Sequence, residues 1–128
     1  MKKVLLDTNV FLWFLAGDKR LTDRCRQLIE DQRNDLCISI VSFWEMTIKM
    51  SLGKLDIAGG LTRVKDAADD LGLLVLPISF ESLKTLEELP FMHRDPFDRI
   101  IIATALAEGC CVVTSDENFS KYDVGTLS

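Results

Sequence analysis

Short apolar runs of strand length recur along this chain, and a stretch with helical spacing and its own stop signal separates each from the next. That alternation constrains the fold more than any other feature, because strands joined through helices lie parallel, whereas antiparallel neighbours need only a short turn. Lys3 to Leu6 reads as the first strand, and Thr8 to Leu15 as a helix buried nearly all round and ended by Gly17. Thr22 caps a second helix through about Gln32, and Leu36 to Ile40 is the next strand. Ser42-Phe-Trp-Glu45 has capping-box spacing and opens a helix through about Leu52. After the Gly59-Gly60 corner a helix covers roughly Leu61 to Leu71, and Leu73 to Ile78 is a third strand. Glu81 to Leu89 is helical, and Asp95-Pro96 starts a strongly apolar helix that closes at Gly109. Cys110 to Thr114 is the fourth strand, and Tyr122 to Leu127 adds a weak fifth. The expected class is α/β: a three-layer α/β/α sandwich around a mostly parallel sheet of four or five strands.

A chain of 128 residues with no repeat and no Pro/Gly/Ser-rich linker fits one domain over residues 1–128. Its apolar runs are broken by charge before reaching the roughly 18 residues of a membrane span. Asp7 interrupts the first such run and no small-residue cleavage site follows, so a soluble, cytoplasmic protein is expected. The four cysteines, Cys25, Cys37, Cys110 and Cys111, contain no C-x-x-C pair, and the one histidine, His93, cannot complete a common zinc set with them. Reduced, mostly buried thiols are the expected state, with Cys110 and Cys111 alternating faces in their strand. The net charge of −5 argues against nucleic-acid binding through an overall positive field. Any RNA contact must be local, metal-assisted or supplied by an oligomer.

In an open parallel sheet the site lies outside the carboxyl ends of the strands. Asp7 directly follows the first strand, Glu45 lies in the first turn after the second, and Asp116 comes just after the fourth. Asp98 opens the helix that precedes the fourth strand, so its place on that edge depends on how the helix packs. Each acid has a local alternative: Asp7 as a helix cap, Glu45 as partner of Ser42 in a capping box, Asp98 as complement to a helix dipole, Asp116 as a turn residue. Together these alternatives weaken. Carboxylates about 4 Å apart repel by roughly 4 kcal/mol at an effective dielectric near 20, and a divalent cation is the simplest remedy. Oxygen donors without a histidine or thiolate pattern suit magnesium or manganese rather than zinc.

VLLDTNVFLWFL at residues 4 to 15, SFWEMTIK at 42 to 49, HRDPFDRIIIATAL at 93 to 106 and VVTSDENF at 112 to 119 resemble, in order and spacing, the four motifs of PIN-domain nucleases, in the branch of the VapC toxins. The D-T-N and T-x-D elements are weak alone; HxDPFDR before an apolar helix is the specific one. The resemblance implies a ribonuclease toxin with Asp7, Glu45, Asp98 and Asp116 as its acidic site. Asp7 and Asp98 are then the direct magnesium ligands, with manganese an alternative, while Glu45 and Asp116 act through water, accept a proton or hold a second ion. Asp98 is chosen over Asp95, which precedes Pro96 and reads as the helix cap. Thr8, Asn9 and Ser115 are candidates for orienting ligands or the substrate phosphate, although capping explains them equally well. Glu117 is an extra carboxylate without an assigned role. The resemblance also implies an RNA substrate, a homodimer and a cognate antitoxin whose tail enters the acidic cleft.

Three other functions fit the residues less well. An aspartyl-phosphate phosphatase needs an acid two residues beyond its nucleophile, where this chain has Asn9. A receiver domain wants an acid directly after the third strand, where Pro77-Ile78-Ser79 stands. A PIN fold kept only for binding would not need all four acids. Trp13 and Trp44 beside apolar neighbours read as core or dimer anchors rather than platforms for bases.

Overall fold

A computed structural model describes residues 3–127. In chain order the elements are β1 (Lys3–Leu6), α1 (Thr8–Ala16), α2 (Asp23–Glu30), β2 (Asp35–Ser39), α3 (Ile40–Ser51), α4 (Gly60–Asp70), β3 (Leu74–Leu76), α5 (Phe80–Glu88), α6 (Pro96–Glu108), β4 (Cys111–Val113), a 3₁₀ turn (Glu117–Lys121) and β5 (Thr126–Leu127). The five strands form one sheet in the order β3-β2-β1-β4-β5. Every neighbouring pair is parallel, with Leu5 opposite both Cys37 and Val112.

The pleat of β1 explains the layers. Val4 and Leu6 face one core, shared with Val10 and Phe11 of α1, Ile29 of α2, Met46 of α3 and Val64 of α4. Leu5 points to the opposite face, where Ile101 and Ile102 of α6 and Phe119 close a second core. All three β1 side chains are fully buried, each worth about 1.5–3 kcal/mol in transfer from water. Truncating Leu5 to alanine would cost about 2–5 kcal/mol, since neither core can collapse across the sheet. The sandwich is the three-layer α/β/α arrangement that alternation leads one to expect.

Several local expectations need correction. α1 is not buried all round: Thr8, Val10 and Phe11 are buried, whereas Leu12, Trp13 and Leu15 line an open cleft of about 520 Å³ against Leu55 and Ile57. α6 is the helix enclosed on all sides, buried continuously from Arg99 to Ala105. α3 begins earlier than the Ser42 capping box requires. Its cap is Ser39, whose hydroxyl accepts from the Val41 N–H, so Ser42 lies inside the first turn and bonds instead to Thr8 across the core at 2.7 Å. β3 and β5 are shorter than their apolar runs: Ser79 caps α5 soon after β3, and β5 keeps only Thr126–Leu127. Trp44 is 56% exposed and touches Phe97 edge-on at 5.1 Å, so it is not a core residue. The four cysteines are free thiols; Cys110 and Cys111 belong to opposite cores, as strand alternation demands. Among the described residues no helix is long and apolar enough to cross a membrane.

Candidate active site

Because every strand runs the same way, the segments after β1, β2 and β4 emerge on one edge of the sheet. Asp7 is the first residue beyond β1, Glu45 lies on α3 directly after β2, and Asp116 follows β4. α6 runs back toward β4 and starts near the same edge, which places Asp98 of its first turn with the others. The charges of Asp98, Glu45 and Asp116 all act on Asp7.

Asp7 is 5% exposed. It precedes α1 in extended conformation, yet its side chain accepts no capping bond from that helix. Oδ2 accepts instead from the Thr114 hydroxyl at 2.9 Å, and that hydroxyl accepts the Asp116 N–H at 3.0 Å. Thr114 therefore ties the segment after β1 to the segment after β4. Burial pushes the Asp7 carboxyl up to about 7; the Thr114 bond opposes this, and the three neighbouring carboxylates add to it.

Glu45 belongs to the second turn of α3 and forms no capping box. Oε2 pairs with Lys49 one turn on at 3.0 Å, while Oε1 is buried with no hydrogen-bond partner. An ionisable oxygen left dry and unpaired is costly unless something else meets it. Asp98 lies behind the cap Asp95, whose Oδ1 accepts from the Phe97 and Asp98 N–H groups at 2.9 and 3.2 Å. Asp95 is thus the helix cap, as the sequence leads one to expect, and the Asp98 side chain takes no part in capping. Burial lifts Asp98 to about 6, a hydrogen bond from His93 counters it, and Asp95, Asp116 and Glu45 raise it further. Asp116 does double duty: Oδ1 accepts from the Asn118 N–H at 2.9 Å and caps the 3₁₀ turn.

Among the described residues, no three His, Cys, Asp or Glu side chains are arranged to hold a metal ion by themselves. The donors present nevertheless fit a hard cation. Magnesium is held by one or two carboxylates and keeps several waters, and Glu45 Oε1 is a buried carboxylate oxygen that no protein donor meets.

Other expected residues divide. Thr8 is buried and bonded to Ser42, a structural contact, while Asn9 is exposed at the mouth of the α1 cleft. Ser115 and Glu117 line a shallow cavity of about 180 Å³ beside Asp116. The hydroxyl bonded to Asp7 is Thr114, one residue before Ser115, and sequence reading missed it. Strand alternation was the available signal, since Thr114 continues the β4 run Cys111–Val113. Lys49 and His93 were also missed as members of this cluster.

The PIN domain family model matches residues 4–125. The chain belongs to the PIN domain family. It is 26% identical over 134 residues to Ribonuclease VapC22 of Mycobacterium tuberculosis, covering 95% of this chain and 93% of the relative. Among solved structures it resembles VapBC2 from Rickettsia felis bound to a DNA fragment from their promoter, with a TM-score of 0.73, 17% identity, and 98% and 97% of the two chains covered. A toxin–antitoxin complex from Klebsiella pneumoniae gives 0.66 at 19% identity, covering 98% of this chain and 96% of that one. The PIN fold seen in these complexes is thus shared by this chain along essentially its full length.

Proposed function

We propose that this single PIN domain is a magnesium- or manganese-dependent endoribonuclease, the toxin of a toxin–antitoxin pair, hydrolysing RNA phosphodiester bonds with water. One observation carries the reading: acids from four separate elements gather at the carboxyl edge of the sheet, and one of them, Glu45, keeps a buried oxygen without a partner. A merely structural cluster would be expected to satisfy that oxygen. The relative named a ribonuclease supports RNA as substrate, and the toxin–antitoxin complexes among the structural neighbours support an antitoxin partner.

In this reading Asp7 and Asp98 hold the cation directly, with Glu45 and Asp116 acting through water or a second ion. A cation bound there would supply Lewis acidity, suited to activating a water and offsetting charge on the 3′-oxygen. Asp7, fixed by Thr114, presents one oxygen while the other stays tied. Lys49, held on Glu45 at 3.0 Å, keeps a positive charge beside the acids and can meet a substrate phosphate. A protein with net charge −5 gains little from long-range attraction of RNA, so binding depends on this local charge and on a homodimer that doubles the surface. An arginine-bearing antitoxin tail would be drawn to the same carboxylates, and all of this takes place in the cytoplasm.

End-group analysis of the cleavage products tests the proposal. Attack by water leaves a 5′-phosphate and a 3′-hydroxyl, and a substrate with one 2′-deoxy substitution at the cut is still cleaved. Cyclic phosphate products, or a deoxy substrate that binds normally yet resists cleavage, would sink it. A small antitoxin-like reading frame beside the gene would support the toxin role.

A further inference from the structure

His93 lies outside the four acids, and its surroundings determine what it can do. The ring is nearly enclosed, with its side chain 10% exposed, and it touches two groups: Nδ1 is 3.1 Å from the Tyr122 hydroxyl and Nε2 is 3.2 Å from Asp98 Oδ2. The hydroxyl has three other neighbours, all obligate donors. The Met92 and His93 N–H groups reach it at 3.2 and 3.1 Å, and Arg99 Nη1 at 3.0 Å. The single Tyr122 proton therefore has one acceptor in reach, His93 Nδ1. An Nδ1 that accepts carries no proton, so the neutral ring must bear its hydrogen on Nε2 and donate it to Asp98.

The hydroxyl is itself held from behind. Arg99 is 9% exposed and meets no carboxylate among the described residues. Nη1 donates to the Pro90 carbonyl at 2.9 Å, Nη2 to that of Leu89 at 3.4 Å, and the guanidinium lies 4.6 Å from the centre of the Phe91 ring. The segment before α6 is thus strapped to the helix that carries Asp98.

We propose that His93 is a positioning residue for Asp98: locked as the Nε2–H tautomer by Tyr122, which Arg99 anchors, it binds Oδ2 and leaves Oδ1 as the oxygen free for a cation. A ligand carboxylate steered through such an outer partner binds its ion with less reorganisation. The inference rests on the reading of Asp98 as a metal ligand, but the tautomer itself does not.

The chain has one histidine, so ¹⁵N-histidine NMR of the whole protein reports this ring alone. At pH 8 the metal-free protein should give the Nε2–H pattern, and Tyr122→Phe should shift it toward a mixture. The Nδ1–H pattern, or free-histidine averaging in the unaltered protein, would overturn the proposal even if every variant failed to fold. Manganese titration followed by calorimetry then tests the role. His93→Leu should weaken binding roughly ten- to hundredfold, and His93→Gln, which keeps an N–H donor, should recover most of it. Equal affinity in folded wild type, Leu and Gln proteins would overturn positioning. If Asp98→Asn also bound manganese like wild type, the ligand assignment would fall with it, which separates the two failures.

Discussion

The two edges of the sheet carry the same residue type in opposite states. At the carboxyl edge Asp7 is buried among like charges and rises to about 7. At the amino edge, just before β2, Asp31 accepts both the backbone N–H and the guanidinium of Arg33, which hold its carboxyl down to about 2. Nearby, Lys3 pairs with Glu108 in the open at 3.4 Å. The amino edge also has the larger cavity, about 690 Å³ lined by Asp31, Asp35, Leu36, Cys37 and Leu74 among others. Volume and acidity therefore do not explain the difference between the two edges. The burial of Asp7, with no cation paired to it among the described residues, does, because a carboxyl held that way destabilises the fold when it ionises.

The largest expected effect comes from neutralising the carboxyl edge. Asp7→Asn or Asp98→Asn should reduce RNA cleavage to background while the circular dichroism spectrum stays that of the folded protein. Wild-type turnover in either purified variant would erase the difference between the edges.

Metal removal should be nearly as severe. Excess chelator stops cleavage, magnesium or manganese restores it, and calcium does so poorly because its longer, looser coordination misplaces the attacking water. Full activity in chelator would break the comparison at its chemical root.

A smaller effect concerns stability without metal. Asp7 titrates near 3.8 when exposed and near 7 in the fold, so between those values the native state binds the extra proton. Stability falls as pH rises through that window and levels off above it. Asp7→Asn lacks this loss and should be more stable than wild type at pH 8, by on the order of a few kcal/mol at most, and melt at a higher temperature. Melting curves at pH 5 and 8 in chelator check the sign, and identical pH slopes in the two proteins would contradict it.

The smallest effect belongs to the amino edge. Asp31 has a lowered pKa, so its contribution is present above about pH 4 and is lost as pH falls through about 2. Asp31→Asn should leave cleavage unchanged and shift the neutral-pH melting temperature slightly downward, as exposed ion pairs do. A large drop in activity would mean that the two edges communicate.

The sequence by itself determined the class of fold and the four candidate acids. Alternating strand and helix signals admit few topologies, and a parallel sheet puts the residues that follow its strands, Asp7, Glu45 and Asp116, on the same edge before any contact is known. Asp95-Pro96 and Gly109 marked α6 at both ends because proline and glycine act through their own backbones. Only the tertiary structure decided which local reading each polar residue took. Ser42 had the spacing of a cap but bonds to Thr8, because Ser39 starts the helix sooner and packing brings α1 alongside. Thr114 rather than Ser115 reaches Asp7 through a contact that spans almost the whole chain. His93, Arg99 and Tyr122 meet only because the segment before α6 folds back onto the turn after β4. Periodicity and capping are written over a few residues and can be read there. A hydrogen bond between distant segments depends on the register of the whole sheet, which no short stretch of sequence contains.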